Sequence, residues 1–195
     1  MIGYLRGRLA LKAPPRVALE VAGVGYELDM PLLSAARLPD VGQDVVVVTH
    51  YLVREDGAFL YGFLDEEERV LFRHLLRVSG VGPRVALAIL STFPVDDFVT
   101  TIRREDPALL VRVPGIGRKT AERLILELKD RLRDWHPGAR GGAASVSARD
   151  EALTGLLALG YRREEAERLI ARLEGELTAT DLIRAALKLS LGQKP

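Results

Sequence analysis

The first 64 residues alternate short apolar stretches with turn residues, a pattern typical of β-strands. The apolar stretches are residues 2–11, 17–21, 26–30, 45–53 and 59–63. Turn residues stand between them at Pro14-Pro15, Gly23, residues 39–42 and Asp56-Gly57. Five short strands are too few for a two-sheet sandwich but suit a small closed Greek-key barrel, with residues 32–38 as a short helical connection. We therefore predict an OB-like five-stranded β-barrel over residues 1–64.

The hydrophobic period changes at Asp65, after which the chain has a helical pattern to about residue 135. Asp65 is a candidate N-cap, and three glutamates follow in the first turn, where the positive end of the helix dipole favours carboxylates. Breaks at residues 79–83, 93–95, 107 and 113–117 divide the region into about five short helices. We expect an all-α domain over residues 65–135.

The last third of the chain begins with a change in composition. Residues 136–147, HPGARGGAASVS, hold Val146 as their one large aliphatic residue, so the segment cannot bury enough surface to offset its ordering entropy. It is predicted to be a flexible linker. Beyond it, residues 150–159, 163–173 and 178–189 show three helical patterns, and we expect a three-helix domain over residues 148–195. The fold class is therefore α+β and multidomain.

The helical region contains an internal repeat of 35 residues. It places Ser79-Gly80-Val81-Gly82 over Pro114-Gly115-Ile116-Gly117, each preceded by Leu-x-Arg-Val. Two copies are too few for a solenoid and favour a paired module related by a pseudo-two-fold axis. Each copy is predicted to be a helix, a tight glycine turn and a second helix.

These glycine turns suit the backbone of a nucleic acid. Glycines two apart allow a sharp turn with positive φ and leave no Cβ between the chain and a phosphodiester backbone. Each turn leads into a helix N-terminus, whose unpaired N–H groups form a phosphate site. The predicted DNA contacts are the turns and the basic or polar residues after them: Ser79, Gly80, Val81, Gly82, Arg84, Pro114, Gly115, Ile116, Gly117, Arg118, Lys119, Thr120 and Arg123.

Charge supports DNA binding locally rather than globally. The net charge is +1, but residues 112–133 hold seven basic residues against three acidic ones. The two segments resemble tandem helix-hairpin-helix motifs, which bind the DNA backbone without reading sequence. A purely structural role for both glycine turns is the weaker alternative, because basic residues follow each turn.

The sequence argues against several other kinds of chemistry. Cysteine is absent and the three histidines, at positions 50, 74 and 136, show no metal-ligand spacing, so we expect no metal site. The glycine turns lack the third glycine of a dinucleotide fingerprint and no Walker-type loop occurs, so no cofactor, no catalytic residue and no ATP hydrolysis are predicted. No apolar run approaches the roughly 18 residues of a membrane span, so the expectation is a cytoplasmic protein without a membrane partner.

The order of barrel, hairpin pair, linker and three-helix tail is similar to that of the RuvA family, the Holliday-junction subunits of the RuvAB complex. The resemblance rests on MIGYLRG at the start, GVGYE at 23–27, THYLVREDGAFLYGF at 49–63, SGVGP and VPGIGRKTAERLI. It implies structure-selective, sequence-independent binding of four-way junction DNA by a homotetramer, with an octamer as the alternative. It implies the RuvB hexameric ATPase as the motor partner and admits the RuvC resolvase as a further one.

Two smaller features gain a role from this resemblance. Glu55 and Asp56 lie between two strand patterns, where RuvA proteins carry an acidic pin whose carboxylates repel phosphates at the crossover. An ordinary Asp-Gly hairpin turn is the alternative. In the tail, the loop Leu159-Gly160-Tyr161 resembles that of ubiquitin-associated (UBA-like) domains, with which RuvA proteins hold RuvB. The predicted contacts are Leu156, Leu159, Gly160, Tyr161 and Leu187, and core packing is the alternative for each apolar one.

Two other functions compete with junction binding. A base-excision glycosylase carries a helix-hairpin-helix followed by a catalytic aspartate, and Asp130 and Asp134 lie downstream of Gly117. The second hairpin and the short remaining chain leave little room for a base-flipping pocket. A non-catalytic repair scaffold is the third possibility, and the barrel with its acidic tip argues for the RuvA-type function instead.

Overall fold

The computed structural model describes residues 1–133, 135, 148–173 and 177–191. The chain divides into two compact units between residues 141 and 142. The predicted linker, residues 136–147, lies outside the described residues, as do Asp134 and Gly175.

The N-terminal residues form a closed five-stranded barrel, as predicted. Its elements are β1 (Tyr4–Ala13), β2 (Arg16–Val21), β3 (Val24–Asp29), helix α1 (Leu32–Ala36), β4 (Asp44–Arg54) and β5 (Gly57–Phe63). The strand order is β1-β2-β3-β5-β4, with β1 pairing with β4 to close the barrel and a short parallel pairing between β3 and β5. Alternate residues point inward, so that Leu9, Val17, Leu19, Leu28 and Val47 are buried.

Five helices follow the barrel: α2 (Glu66–Leu75), α3 (Pro83–Thr92), α4 (Val95–Arg103), α5 (Pro107–Leu110) and α6 (Arg118–Lys129). The predicted start of α2 is confirmed, because the Asp65 carboxylate accepts a hydrogen bond of 2.8 Å from the Glu68 N–H. The helical core holds Phe72, Ile89 and Leu124 together with Phe63 at the end of β5. Barrel and helices therefore share buried surface within the first unit.

Glu68 is a buried carboxylate where α2 meets α1. One of its oxygens, Oε2, accepts hydrogen bonds from the Ser34 hydroxyl at 2.8 Å and from the Leu64 N–H at 3.1 Å. The Arg37 guanidinium lies 3.6 Å from the other oxygen. Burial raises the pKa of Glu68 above its ordinary value, and the hydrogen bond from Ser34 partly offsets this effect.

Two substitutions at Glu68 separate its hydrogen bonds from its charge. Glu68→Gln should change the free energy of unfolding by less than about 1 kcal/mol at neutral pH, because the amide oxygen can accept both bonds. Glu68→Ala should cost about 2 to 4 kcal/mol, because it leaves a cavity and deprives the buried Ser34 hydroxyl and the partly buried Leu64 N–H of their acceptor.

The pH dependence of unfolding supplies a second test of Glu68. A carboxyl with a raised folded-state pKa contributes stability that is present below the unfolded pKa and is lost as pH rises through the folded one. Urea unfolding of the native chain should therefore show a loss of stability above the ordinary glutamate pKa that Glu68→Gln does not show. Parallel pH profiles for the two proteins would contradict this reading.

The second unit is a three-helix bundle, as predicted: α7 (Ala148–Ala158), α8 (Arg163–Ala171) and α9 (Ala179–Leu191). Its core holds Leu156, Leu169 and Leu182. A Cβ added at Gly155 would lie 2.6 Å from Cδ1 of Ile183, so the glycine allows α7 and α9 to pack closely.

Within the described ranges, no single helix is long and apolar enough to cross a membrane. Helices α3 and α4 reach the required length and composition only as a pair, and they are bent by 98°.

Candidate nucleic-acid interface

The two glycine turns have the same backbone conformation. Gly80 has φ of +85° and Gly115 has φ of +88°. In the first turn, the Val81 N–H donates to the Val78 carbonyl at 3.0 Å, and in the second the Ile116 N–H donates to the Val113 carbonyl at 3.1 Å. The two copies of the repeat therefore share the backbone φ of the first glycine and the hydrogen bond that closes the turn, as well as their sequence.

The second glycine of each pair has a different role from the first. Gly82 and Gly117 are the N-caps of α3 and α6, with φ of −92° and −89° in the extended region. Any residue can adopt that conformation, and a Cβ added at either position would meet no atom within 4 Å. The expectation of positive φ thus applies to Gly80 and Gly115, whereas Gly82 and Gly117 keep an open surface.

The helices after these turns present free donors. Among the described residues, no side chain accepts a hydrogen bond at the N-cap of either α3 or α6. Pro83 at the first position of α3 has no N–H, so the amides of Arg84 and its successor are the first donors there. Unpaired amides at the positive end of a helix dipole form an anion site, and DNA phosphates have the matching charge.

The predicted contact residues separate into exposed and buried groups. The side chains of Arg84, Arg118 and Lys119 are exposed beside the turns. Val81 and Ile116 are each 5% exposed and belong to the helical core. Their side chains anchor the turns from inside the core, so a DNA contact at these two residues would use backbone atoms.

Two predicted DNA-contact residues from different copies meet each other. Nη1 of Arg123, on α6, donates to both the carbonyl oxygen and the hydroxyl of Ser79 in the first turn. The two residues are 44 positions apart, and nothing in the spacing of the repeat indicates this pair. Arg118 forms a local ion pair at 3.1 Å with Glu122, one helical turn later.

The acidic pair lies at the tip of the β4–β5 hairpin. Arg54 pairs with Gly57, so Glu55 and Asp56 are the two exposed turn residues. Gly57, with φ of +147°, supplies a conformation that favours glycine. Glu55 and Asp56 thus lie in an ordinary hairpin turn, which was the alternative to an acidic pin. A turn of this kind can also present the two carboxylates as a pin.

The residues predicted to contact the partner on the three-helix unit differ in how far they are exposed. Leu156 is fully buried in the core, so the core alternative describes its side chain. Leu159 is 60% exposed. It precedes Gly160, which has φ of +94°, and Tyr161, whose hydroxyl donates to Ser190 Oγ at 3.1 Å. Leu187 is partly buried against the core.

Of the two aspartates considered for a glycosylase, the structure describes Asp130. Asp130 is the exposed C-cap residue of α6. Asp134 lies outside the described residues.

Known families match the chain from its start nearly to its end. The RuvA N terminal domain matches residues 1–62, the SAM-like helix-hairpin-helix tandem matches residues 72–130, and the RuvA C-terminal domain matches residues 147–191. The chain is 46% identical over 198 residues to a protein of Pseudomonas paraeruginosa (strain DSM 24068 / PA7) named Holliday junction branch migration complex subunit RuvA. It is 45% identical over 200 residues to the protein of the same name from Stutzerimonas stutzeri (strain A1501). Both alignments cover 96% of this chain and 98% of the relative.

Proposed function

The chain belongs to the RuvA family, and on that premise we propose that it binds four-way (Holliday) junction DNA and recruits the RuvB ATPase for branch migration in recombination and repair. The observation that carries the proposal is the pair of equivalent glycine turns, each followed by a helix N-terminus with free amides. Phosphate contacts of this kind position a protein on DNA but carry no sequence information. Binding is therefore sequence-independent, and each neutralised phosphate adds a log-log salt slope of about −0.9.

Selectivity for a junction requires more than one copy of the chain. We propose a homotetramer, or an octamer of two tetramers, in which each copy presents two backbone-binding turns to one arm of the junction. Simultaneous contact with several arms raises the effective concentration of every further contact. A linear duplex lacks the other arms and so engages fewer turns.

The motor and the DNA-binding functions are assigned to different proteins. With no Walker-type loop, the chain supplies no ATP hydrolysis, and the motor activity resides in RuvB. We assign residues 1–64 to assembly and the pin, residues 65–135 to DNA, and residues 148–195 to the contact with RuvB. Exposed Leu159, in the loop Leu159-Gly160-Tyr161, supports the last assignment. The RuvC resolvase is a further candidate partner. The assembly acts in the cytoplasm.

Charge at the hairpin tip provides a test of junction selectivity. Four copies would place eight carboxylates around the crossover, where their Coulomb effect on phosphates is repulsive. Glu55→Gln combined with Asp56→Asn should tighten binding to a linear duplex by about threefold or more and tighten junction binding less. Discrimination between the two DNAs should therefore fall, as measured by fluorescence anisotropy at fixed salt.

A matched control neutralises an exposed acid elsewhere on the barrel. Asp40→Asn, in the turn before β4, should leave both affinities unchanged. Gly57 stays in place, since changing it would confuse charge with turn geometry. If the double substitution also leaves both affinities and the rate of branch migration unchanged, Glu55 and Asp56 are a simple turn.

A further inference from the structure

We infer that Arg123 is a positioning residue, whose exposed guanidinium holds the two glycine turns at a fixed spacing through hydrogen bonds within the protein. The inference rests on the proposed function, because that spacing matters only if both turns bind the backbone of one DNA molecule. Arg123 belongs to the second copy of the repeat and Ser79 to the first, so a contact between them connects the two copies.

The connection consists of a forked contact from one nitrogen. Nη1 of Arg123 lies 3.1 Å from Ser79 Oγ and 3.3 Å from the Ser79 carbonyl oxygen. Ser79 is the first residue of the first turn, and Arg123 lies in the second helical turn of α6, shortly after the second glycine turn. The guanidinium therefore links the helix of one copy to the loop of the other.

The repeat has no equivalent link on its other side. A shift of 35 residues places Ala88 at the position equivalent to Arg123 and Pro114 at the position equivalent to Ser79. Neither side chain can form a hydrogen bond, and both residues line the same groove of about 630 Å³. Between the two turns, a Cβ added at Gly115 would lie 3.5 Å from Cγ2 of Val85, which is ordinary van der Waals contact. The Arg123–Ser79 link is thus a polar connection on one side of the repeat without an equivalent at Ala88 and Pro114.

Lys119 provides an internal comparison for the role of Arg123. It lies one helical turn earlier on α6, on the same face, and its exposed side chain carries the same charge. Because Lys119 is exposed in the first turn of α6, two residues after Gly117, its ammonium is available to phosphate. Lys119 and Arg123 therefore carry the same charge on the same face of α6, but only Arg123 donates to Ser79. Comparing substitutions at the two positions separates a positioning role from a phosphate contact.

Salt dependence of junction binding distinguishes the two roles in the full-length chain. Lys119→Met should weaken binding and make the log-log salt slope shallower by about 0.9 for each phosphate that is no longer neutralised. Arg123→Met should weaken binding about fivefold with the slope unchanged, because it removes a hydrogen bond within the protein. Ser79→Ala should have a smaller effect, since the carbonyl acceptor remains, and should add little to Arg123→Met.

A distance measurement without DNA tests the inference independently of the proposed function. Since the chain has no cysteine, Arg84→Cys and Arg118→Cys allow spin labels to be placed specifically beside the two turns. In labelled protein diluted with unlabelled chain, Arg123→Met should broaden the distance distribution between the labels, whereas Lys119→Met should not.

The outcomes separate the two claims. An unbroadened distribution with Arg123→Met, or a slope reduced as much as by Lys119→Met, would overturn the positioning role. A broadened distribution in a chain that binds junction and duplex equally would support the positioning role and refute the proposed function. Ser79→Ala keeps the inference testable if Arg123→Met folds poorly, because it removes one acceptor of the same link.

Discussion

A chain carrying both Gly82→Ser and Gly117→Ser should fold normally and lose affinity for four-way junction DNA by about a hundredfold or more. Both glycines have extended backbones with open space around them, so a side chain there causes no strain. Serine is also a favourable N-cap, whose hydroxyl accepts from the second or third amide of the helix. That hydroxyl would occupy the donors proposed for phosphate, and the added Cβ would hold the DNA backbone away. Removing one charge-assisted hydrogen bond of about 1.5 kcal/mol or more at each turn accounts for the hundredfold effect.

The first glycine of each pair supplies the matched control. Gly80→Ala and Gly115→Ala place a side chain at φ of +85° and +88°, which should cost about 1 kcal/mol of stability at each position. Thermal unfolding should therefore separate the two pairs: alanine at 80 and 115 lowers Tm, and serine at 82 and 117 does not. Unchanged junction affinity in the folded double-serine variant would remove the turns from the DNA contact.

Ending the chain after Trp135 should abolish branch migration driven by RuvB while leaving junction affinity within about twofold. The two units have separate cores, so removing the three-helix unit leaves the hairpin module intact. The new terminus is also held in place, because Nη2 of Arg103 donates to the carbonyls of Leu132, Arg133 and Trp135. A strand-exchange assay with RuvB and ATP measures the loss. Failure of the fragment to bind a junction would show that DNA contacts lie beyond residue 135.

A point substitution tests the same separation in the full-length chain. Leu159→Asp places a charge on an exposed loop side chain, so the three-helix unit should remain folded. Stimulation of the RuvB ATPase on junction DNA should nevertheless fall steeply, because an apolar contact would acquire a desolvated carboxylate. Leu153→Asp, on a residue packed against the core, is the comparison for a loss caused by unfolding.

The sequence predicts the structure best where local patterns of residues determine it. The short apolar stretches separated by turn residues over the first 64 residues predict the barrel, and the change of period at Asp65 predicts the start of α2. The repeat predicts two equal turns because both copies carry glycine at the same positions, and glycine readily adopts the positive φ that a tight turn requires. These features depend on residues close together in the chain.

Features that depend on distant residues were not predictable in the same way. The Ser34 contact with Glu68 and the Ser79 contact with Arg123 join positions 34 and 44 residues apart. The sequence places Glu68 among three glutamates that the helix dipole favours in the first turn of α2, yet it alone of the three is buried. Leu156 and Leu159 are both apolar and three residues apart. Packing of α7 against its neighbours buries the first, whereas the second follows the end of the helix and is exposed.

The most direct test of junction binding compares a four-way junction with a linear duplex of equal total length across a series of salt concentrations. We predict at least about tenfold tighter binding to the junction at each salt concentration, as expected when several turns bind one DNA molecule. The log-log slope should correspond to several neutralised phosphates at about −0.9 each. Equal affinities for junction and duplex would contradict structure-selective binding.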